Sequence, residues 1–538
     1  MGRKGLVMLL ATLCMLASVS ALTIPNSQIK TVEYFVGANG SQILNATARS
    51  YTFAISVPES NIAKRYAWIE LSGMSTGTFD NNIDINLSNN MSDRFSLDSA
   101  GETQRYLIRY PYYPTLTNGT NTPYRLNVIV PGLGSPTSAE CSKLILTYEY
   151  DSSSPRQIKT VKYFVGQNSS NVSSGTNIVF PFKIYIPETG SIIVKSAFIE
   201  IEGLSNGAAD NAVVINTSGG PIMNYSIDST IATQSYYLLY NASEIYGITT
   251  GGTYNYVANI RATGNPNTFV GARAVITYEY DSNSTNQLKT VRYFIGSNSS
   301  SIASNIPTRF TFGVPIAEPT IAVQSAFIKI NGWTTAVQGH IQVNISGTNQ
   351  INHTDSIKTE GNDFTLLYNA TQLYSMTGAT TNGPYTLNVR VAGPATTVLA
   401  AELFVTYNYS GNATQQTRTV EYGAFTDDVQ RTAAIDVDRA FFLITPEQNI
   451  TAKSIFMESS SITSATAAHT LTAGFGEVAT LFSKGNTGET TFDYVVHNGS
   501  TRMYEITNGI NGAFYTNKQD SAISSLTSGK VIATYFFQ

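Results

Sequence analysis

The sequence predicts an all-β chain of four tandem β-sandwich domains, Ig-like or jelly-roll-like, of about 130 residues each. Three observations predict it. The chain repeats itself with the period of a whole domain. Apolar side chains alternate with a period of two inside each copy. Clusters of Gly, Pro, Asn and Ser separate the alternating runs.

The repeat is clearest in one motif. Gln28-Ile-Lys-Thr-Val-Glu-Tyr-Phe-Val-Gly37 returns as Gln157-Ile-Lys-Thr-Val-Lys-Tyr-Phe-Val-Gly166 and as Gln287-Leu-Lys-Thr-Val-Arg-Tyr-Phe-Ile-Gly296. A degraded fourth copy is Gln416-Thr-Arg-Thr-Val-Glu-Tyr422, and the steps are 129, 130 and 129 residues. A second element keeps the same step: Tyr66-Ala-Trp-Ile-Glu70, Lys195-Ser-Ala-Phe-Ile-Glu200, Gln324-Ser-Ala-Phe-Ile-Lys329 and Lys453-Ser-Ile-Phe-Met-Glu458. Each copy closes on an apolar strand, the last at Lys530–Phe537. The predicted division is a leader at 1–21 and sandwiches at 22–151, 152–281, 282–410 and 411–538, the last divergent. The period exceeds that of a solenoid unit, so each copy is expected to bury its own core. Short polar linkers such as Asp151-Ser-Ser-Ser-Pro-Arg-Gln157 then suggest an elongated rod or shallow arc.

Within a copy, Phe180, Phe182, Ile184 and Ile186 share one face, opposite Pro181, Lys183 and Tyr185. Tyr51, Phe53, Ile55 and Val57 repeat the pattern, as do Ala197, Ile199 and Ile201 opposite Phe198 and Glu200. Such runs read as half-buried strands, seven to nine per copy. The sole helical hint is a turn near Tyr240–Tyr246.

Arg3 and Lys4 precede an uncharged apolar run, Leu6 to Val19, and Val19-Ser-Ala21 is a small-x-small site. That is the layout of a secretory signal peptide cleaved after Ala21. No later apolar stretch approaches the ~20 residues that span a bilayer, so no membrane span is expected after cleavage. Charged residues are 13% of the chain and net charge is −4 without a basic patch, which argues against nucleic acid as a partner. One cysteine, Cys141, remains after the leader, so no intrachain disulfide can form. A secreted β protein without disulfides but rich in sequons fits an archaeal surface protein.

The chain carries 19 Asn-x-Ser/Thr sequons, about twice the number its composition would give by chance. Asn39, Asn168 and Asn298 fall in the same loop of three copies, and Asn86, Asn216 and Asn344 at another shared position. These six are the expected glycosylation sites. His340, His353, His469 and His497 lack the spacing of a metal pair, and no nucleophile elbow, phosphate loop or zinc motif appears. Asp80-Asn-Asn-Ile-Asp84 and Asp210-Asn211 are oxygen-rich loops that could hold calcium, but turn-forming residues explain them better. Trp68 and Phe198 lie opposite the apolar row, where an inter-domain contact explains an aromatic better than a stacked sugar does.

No catalytic residue, cofactor or metal is expected, and enzyme activity is disfavoured. The function expected is that of a secreted, glycosylated structural cell-surface protein, a subunit of a surface layer, sheath or filament. Its partners would be other copies of itself, or other surface proteins or glycans. An adhesin or glycan-binding stalk is the alternative. An end-to-end assembly site is suggested at Phe536 and Phe537, because Phe536 replaces Glu149, Glu279 and Asn408 of the other closing strands.

Overall fold

The computed structural model describes residues 24–538, except for residue 25 and a set of short segments. The longest of these are 77–81, 98–102, 132–136, 206–210, 228–233, 299–305, 335–339, 346–350, 355–361, 428–435, 474–480 and 483–489. The leader expected at 1–21 lies outside the described residues, as do Asp80 and Asp210.

The chain is nearly all strand, and each sequence period holds two four-stranded antiparallel sheets. In the second period one sheet runs in the order Arg156–Gln167, Asn267–Asp281, Ile193–Ser205, Gln234–Asn241. The other runs Asn177–Ile186, Gly252–Thr263, Ala212–Thr217, Met223–Ser226. Counted along the chain, the strand orders are 1-8-3-6 and 2-7-4-5, the pairing of an eight-stranded jelly roll. The topology that alternation alone left open is thereby decided. The turn near Tyr240 is a short 3-10 helix, Ser243–Gly247, and it recurs at Thr371–Ser375 and Thr501–Glu505.

The alternation behaves as expected on the outer sheet. Phe180, Phe182, Ile184 and Ile186 are buried, whereas Pro181 and Lys183 are exposed. They meet Val161, Tyr163 and Val165 of the first strand across the sandwich. The glycine that ends the opening motif in three copies has a steric reason. The strand bulges between Phe164 and Gly166, and a Cβ at Gly166 would sit 2.2 Å from the Phe180 ring. The same aromatic-over-glycine contact recurs at Gly37 with Tyr51 and at Gly296 with Phe310.

The inner sheets depart from the simple expectation. Phe198 and Glu200 point away from their own core, yet both are as buried as Ala197, Ile199 and Ile201. The second face of each inner sheet is covered by the inner sheets of neighbouring copies. The four opening strands, Ser27–Asn39, Arg156–Gln167, Asn286–Asn298 and Gln416–Asp427, contact one another in a cycle, the fourth closing back on the first. The rod expected from the linkers is therefore wrong. The modules form a closed pseudo-fourfold ring, because each inner sheet carries apolar and charged side chains that only a neighbour can bury.

Candidate functional site

The opening motif is where the ring is stitched. Its lysine or arginine makes the same set of contacts four times. Lys30, Lys159 and Lys289 pair with Glu59, Glu188 and Glu318 at 2.7, 2.9 and 2.7 Å, and Arg418 pairs with Glu447. Each cation also donates to a carbonyl of the next module: Ile158, Leu288, Thr417 and, closing the circle, Ile29, at 2.7–3.0 Å. Each glutamate accepts the next module's backbone N–H, from Ile158, Leu288, Thr417 and Ile29, at 2.6–2.8 Å. The tyrosines Tyr148, Tyr278, Tyr407 and Tyr535 donate to the same carboxylates. Each cation finally lies over an aromatic ring: Tyr150, Tyr280, Tyr409 and Phe537, 3.7–4.2 Å from the centroid.

The motif threonine is used as regularly. Thr160, Thr290, Thr419 and Thr31 each accept the backbone N–H of Glu33, Lys162, Arg292 and Glu421 respectively, all at 2.9 Å. A threonine of each closing strand returns the bond across the seam. Thr277 donates to Glu33 O at 2.5 Å, Thr406 to Lys162 O, Thr534 to Arg292 O at 2.5 Å and Thr147 to Glu421 O at 2.7 Å. The opening motifs of all four modules line a polar vestibule of about 300 Å3 at one end of the ring axis.

Deeper along the axis lies a network of buried charge. Three sets of equivalent positions contribute: Glu33, Lys162, Arg292, Glu421; Lys143, Arg273, Glu402, Lys530; and Glu70, Glu200, Lys329, Glu458. All twelve are at least nine-tenths buried, and they comprise six cations and six carboxylates. The third module inverts the pattern, with Glu402 and Lys329 where the others have a cation and a glutamate. Pairs cross every seam. Lys143 reaches Glu200 at 2.6 Å and Lys162 reaches Glu33 at 2.5 Å. Lys329 reaches Glu202 at 3.0 Å, Arg292 reaches Glu421 at 2.8 Å and also Glu458, and Lys530 reaches Glu70 at 3.1 Å. Arg109 joins Glu70 to Glu458 and donates to Ser528 Oγ at 3.0 Å. Burial pushes the Glu33 carboxyl up, but Lys143 and Lys162 overcome it and hold it down at about 2. Glu70, Glu200 and Glu458 are depressed by the same balance against burial, with Lys530 the main attractor of Glu70 and of Glu458 and Arg273 that of Glu200. Apolar patches flank the charges. Phe35, Cys141, Phe198 and Leu239 pack at the first seam, Phe164, Phe327, Leu367 and Phe404 at the second, and Phe294, Phe456 and Ile532 at the third.

The sequence had singled out other residues. Phe537 is 2% exposed and sits in the fourth core with Arg418 over its ring. Phe536 is half-buried, with Lys453 Nζ 4.5 Å from its centroid. In the second module the same two positions hold Lys195 and Glu279 as an ion pair at 3.1 Å. A cation–π contact thus replaces a salt bridge, which accounts for Phe536 inside its own module. The first opening strand is engaged by Arg418 of the same chain, at Ile29 O and Gln28 Oε1. Phe198 and Trp68 are buried and unavailable for a sugar. Cys141 is buried, and desolvation pushes its thiol up to about 12, an unreactive thiol. Asp84 is held bidentately by Arg94 at 2.7 and 2.9 Å. No group of metal-ligating side chains is found among the described residues.

The six sequon asparagines are all half-buried. Asn86, Asn216 and Asn344 lie on the outward face of the outer sheets, alternating with buried Ile85 and Leu87, Ile215 and Thr217, and Val343 and Ile345. Each stands directly opposite another asparagine, Asn127, Asn259 or Asn388. Asn39, Asn168 and Asn298 lie at or just past the ends of opening strands. The seam residues were missed at the sequence level. Their only signal was the constancy of Lys or Arg and Thr in the opening motif, which a surface strand does not require.

No protein-family model matches the sequence, and no curated protein does. Among solved structures the chain is similar to a β-porphyranase of glycoside hydrolase family 86 from the gut bacterium Bacteroides plebeius, with 12% identity over 44% of this chain and a TM-score of 0.18. It spans 39% of that enzyme's chain. It is also similar to a protein of infectious bursal disease virus Gt strain, with 9% identity, 73% of this chain, 83% of that chain and a TM-score of 0.16. A triple jelly-roll protein of an archaeal virus gives 10% identity, 71% and 91% coverage and a TM-score of 0.12. Likenesses this slight say nothing about activity or partners.

Proposed function

We propose that the chain is a structural building block of a secreted, glycosylated cell-surface coat, such as a surface layer or sheath. The supporting observation is how the repeat is spent. The opening motifs are consumed in locking four modules into one block. What the block then offers outward is the face of its outer sheets, with sequon asparagines at matched places in three modules. Four like units fastened by buried charge make a stiff tile, and the leader would deliver it outside the cell. The test combines intact-glycopeptide mass spectrometry with cryo-electron tomography of the native surface. Glycans at Asn39, Asn168 and Asn298 and periodic subunits of this size are expected. Six bare sequons and a surface without such subunits would refute the proposal.

A further inference from the structure

A cavity of about 30 Å3 lies inside the axial charge network. A water needs roughly 10–15 Å3 of such space, so the cavity admits one small occupant or two waters. Its walls are cationic. Lys143, Lys162, Arg273, Arg292, Lys329 and Lys530 line it, against the carboxylates Glu70, Glu202 and Glu458. Glu33, Glu200, Glu402 and Glu421 pair with these same cations but are not among the lining residues. Two guanidinium N–H groups meet no acceptor: Nη1 of Arg273 and Nε of Arg292, in residues 6% and 4% exposed. Guanidinium nitrogens can only donate, and a buried donor without an acceptor is costly.

We infer that this cavity is a binding site for one small monovalent anion of the halide class. The lining is rich in donors, which disfavours a metal cation. The volume is too small for a phosphate or a carboxylic acid. A halide accepts from every N–H that faces it, whereas a water must also send its own protons somewhere. The competing occupant is a water bridging Arg273 to Glu202, whose Oε2 also lacks a donor.

The full chain is unfolded thermally at constant ionic strength while gluconate is exchanged for chloride or bromide. A saturable rise in the midpoint with halide, following one-site linkage, is expected. Crystals grown in bromide should show an anomalous peak within hydrogen-bond distance of Arg273 and Arg292. A midpoint indifferent to halide, or axial density without anomalous signal, would mean water and overturn the inference.

Discussion

Replacing Arg292 with Met tests the ring most directly. The side chain is 4% exposed, and it reaches Glu402 of its own module and Glu421 and Glu458 of the fourth. The three carboxylates do not lose equally. Glu421 keeps Lys530 at 2.8 Å, and Glu458 keeps Lys530 at 3.4 Å and Arg109 at 3.5 Å. Glu402 has Arg292 as its ion-pair partner and is fully buried, so it is left as an uncompensated charge. Removing one partner of a buried pair costs about 3–5 kcal/mol. Replacing both by apolar groups is far cheaper, so Arg292→Met with Glu402→Met should recover most of the loss. The assay is denaturant unfolding of wild type, both single variants and the double variant, analysed as a double-mutant cycle. Hydrogen exchange at the Arg292 amide, which donates to Thr419, reports the third seam separately. A single variant that loses under about 1 kcal/mol, or a double variant no better than the single, would refute the claim that buried pairing holds the seam.

Three further outcomes are expected. Small-angle scattering of the mature chain should give a radius of gyration near the ~24 Å of a compact body of this length, and a value well above it would restore the rod. Glu140 is fully buried, and desolvation raises its carboxyl to about 7 despite the Tyr51 hydroxyl at 2.9 Å. A raised folded pKa means that the stability it contributes is complete below about 4.5 and is lost as pH rises through about 7. Glu140→Gln should flatten that fall, worth at most about 3 kcal/mol, and pH-dependent melting curves that superimpose would contradict it. Glu33 has the opposite sign: its depressed pKa stabilises above about 4.5, and that stability is lost as pH falls towards 2. Glu33→Gln should therefore weaken the first seam at neutral pH and blunt acid unfolding, read from denaturation at both pH values.

The sequence by itself determined the strands, the period and the inward rows. Alternation such as Phe180 to Ile186 is local, because successive side chains of a strand point to opposite faces whatever surrounds them. It also marked the opening motif as special, without saying why. The jelly-roll order, the ring and the charged axis were decided only by tertiary structure. Read alone, Glu33, Lys162, Arg292 and Glu421 are unlike residues on polar strand faces. Their partners lie in other modules, as with Arg292 and Glu458, 166 residues apart. The fourth module's bond to the first, from the Glu421 amide to Thr31, spans 390 residues. A charge can stay buried only where an opposite charge arrives in space, and no local pattern records which strand brings it.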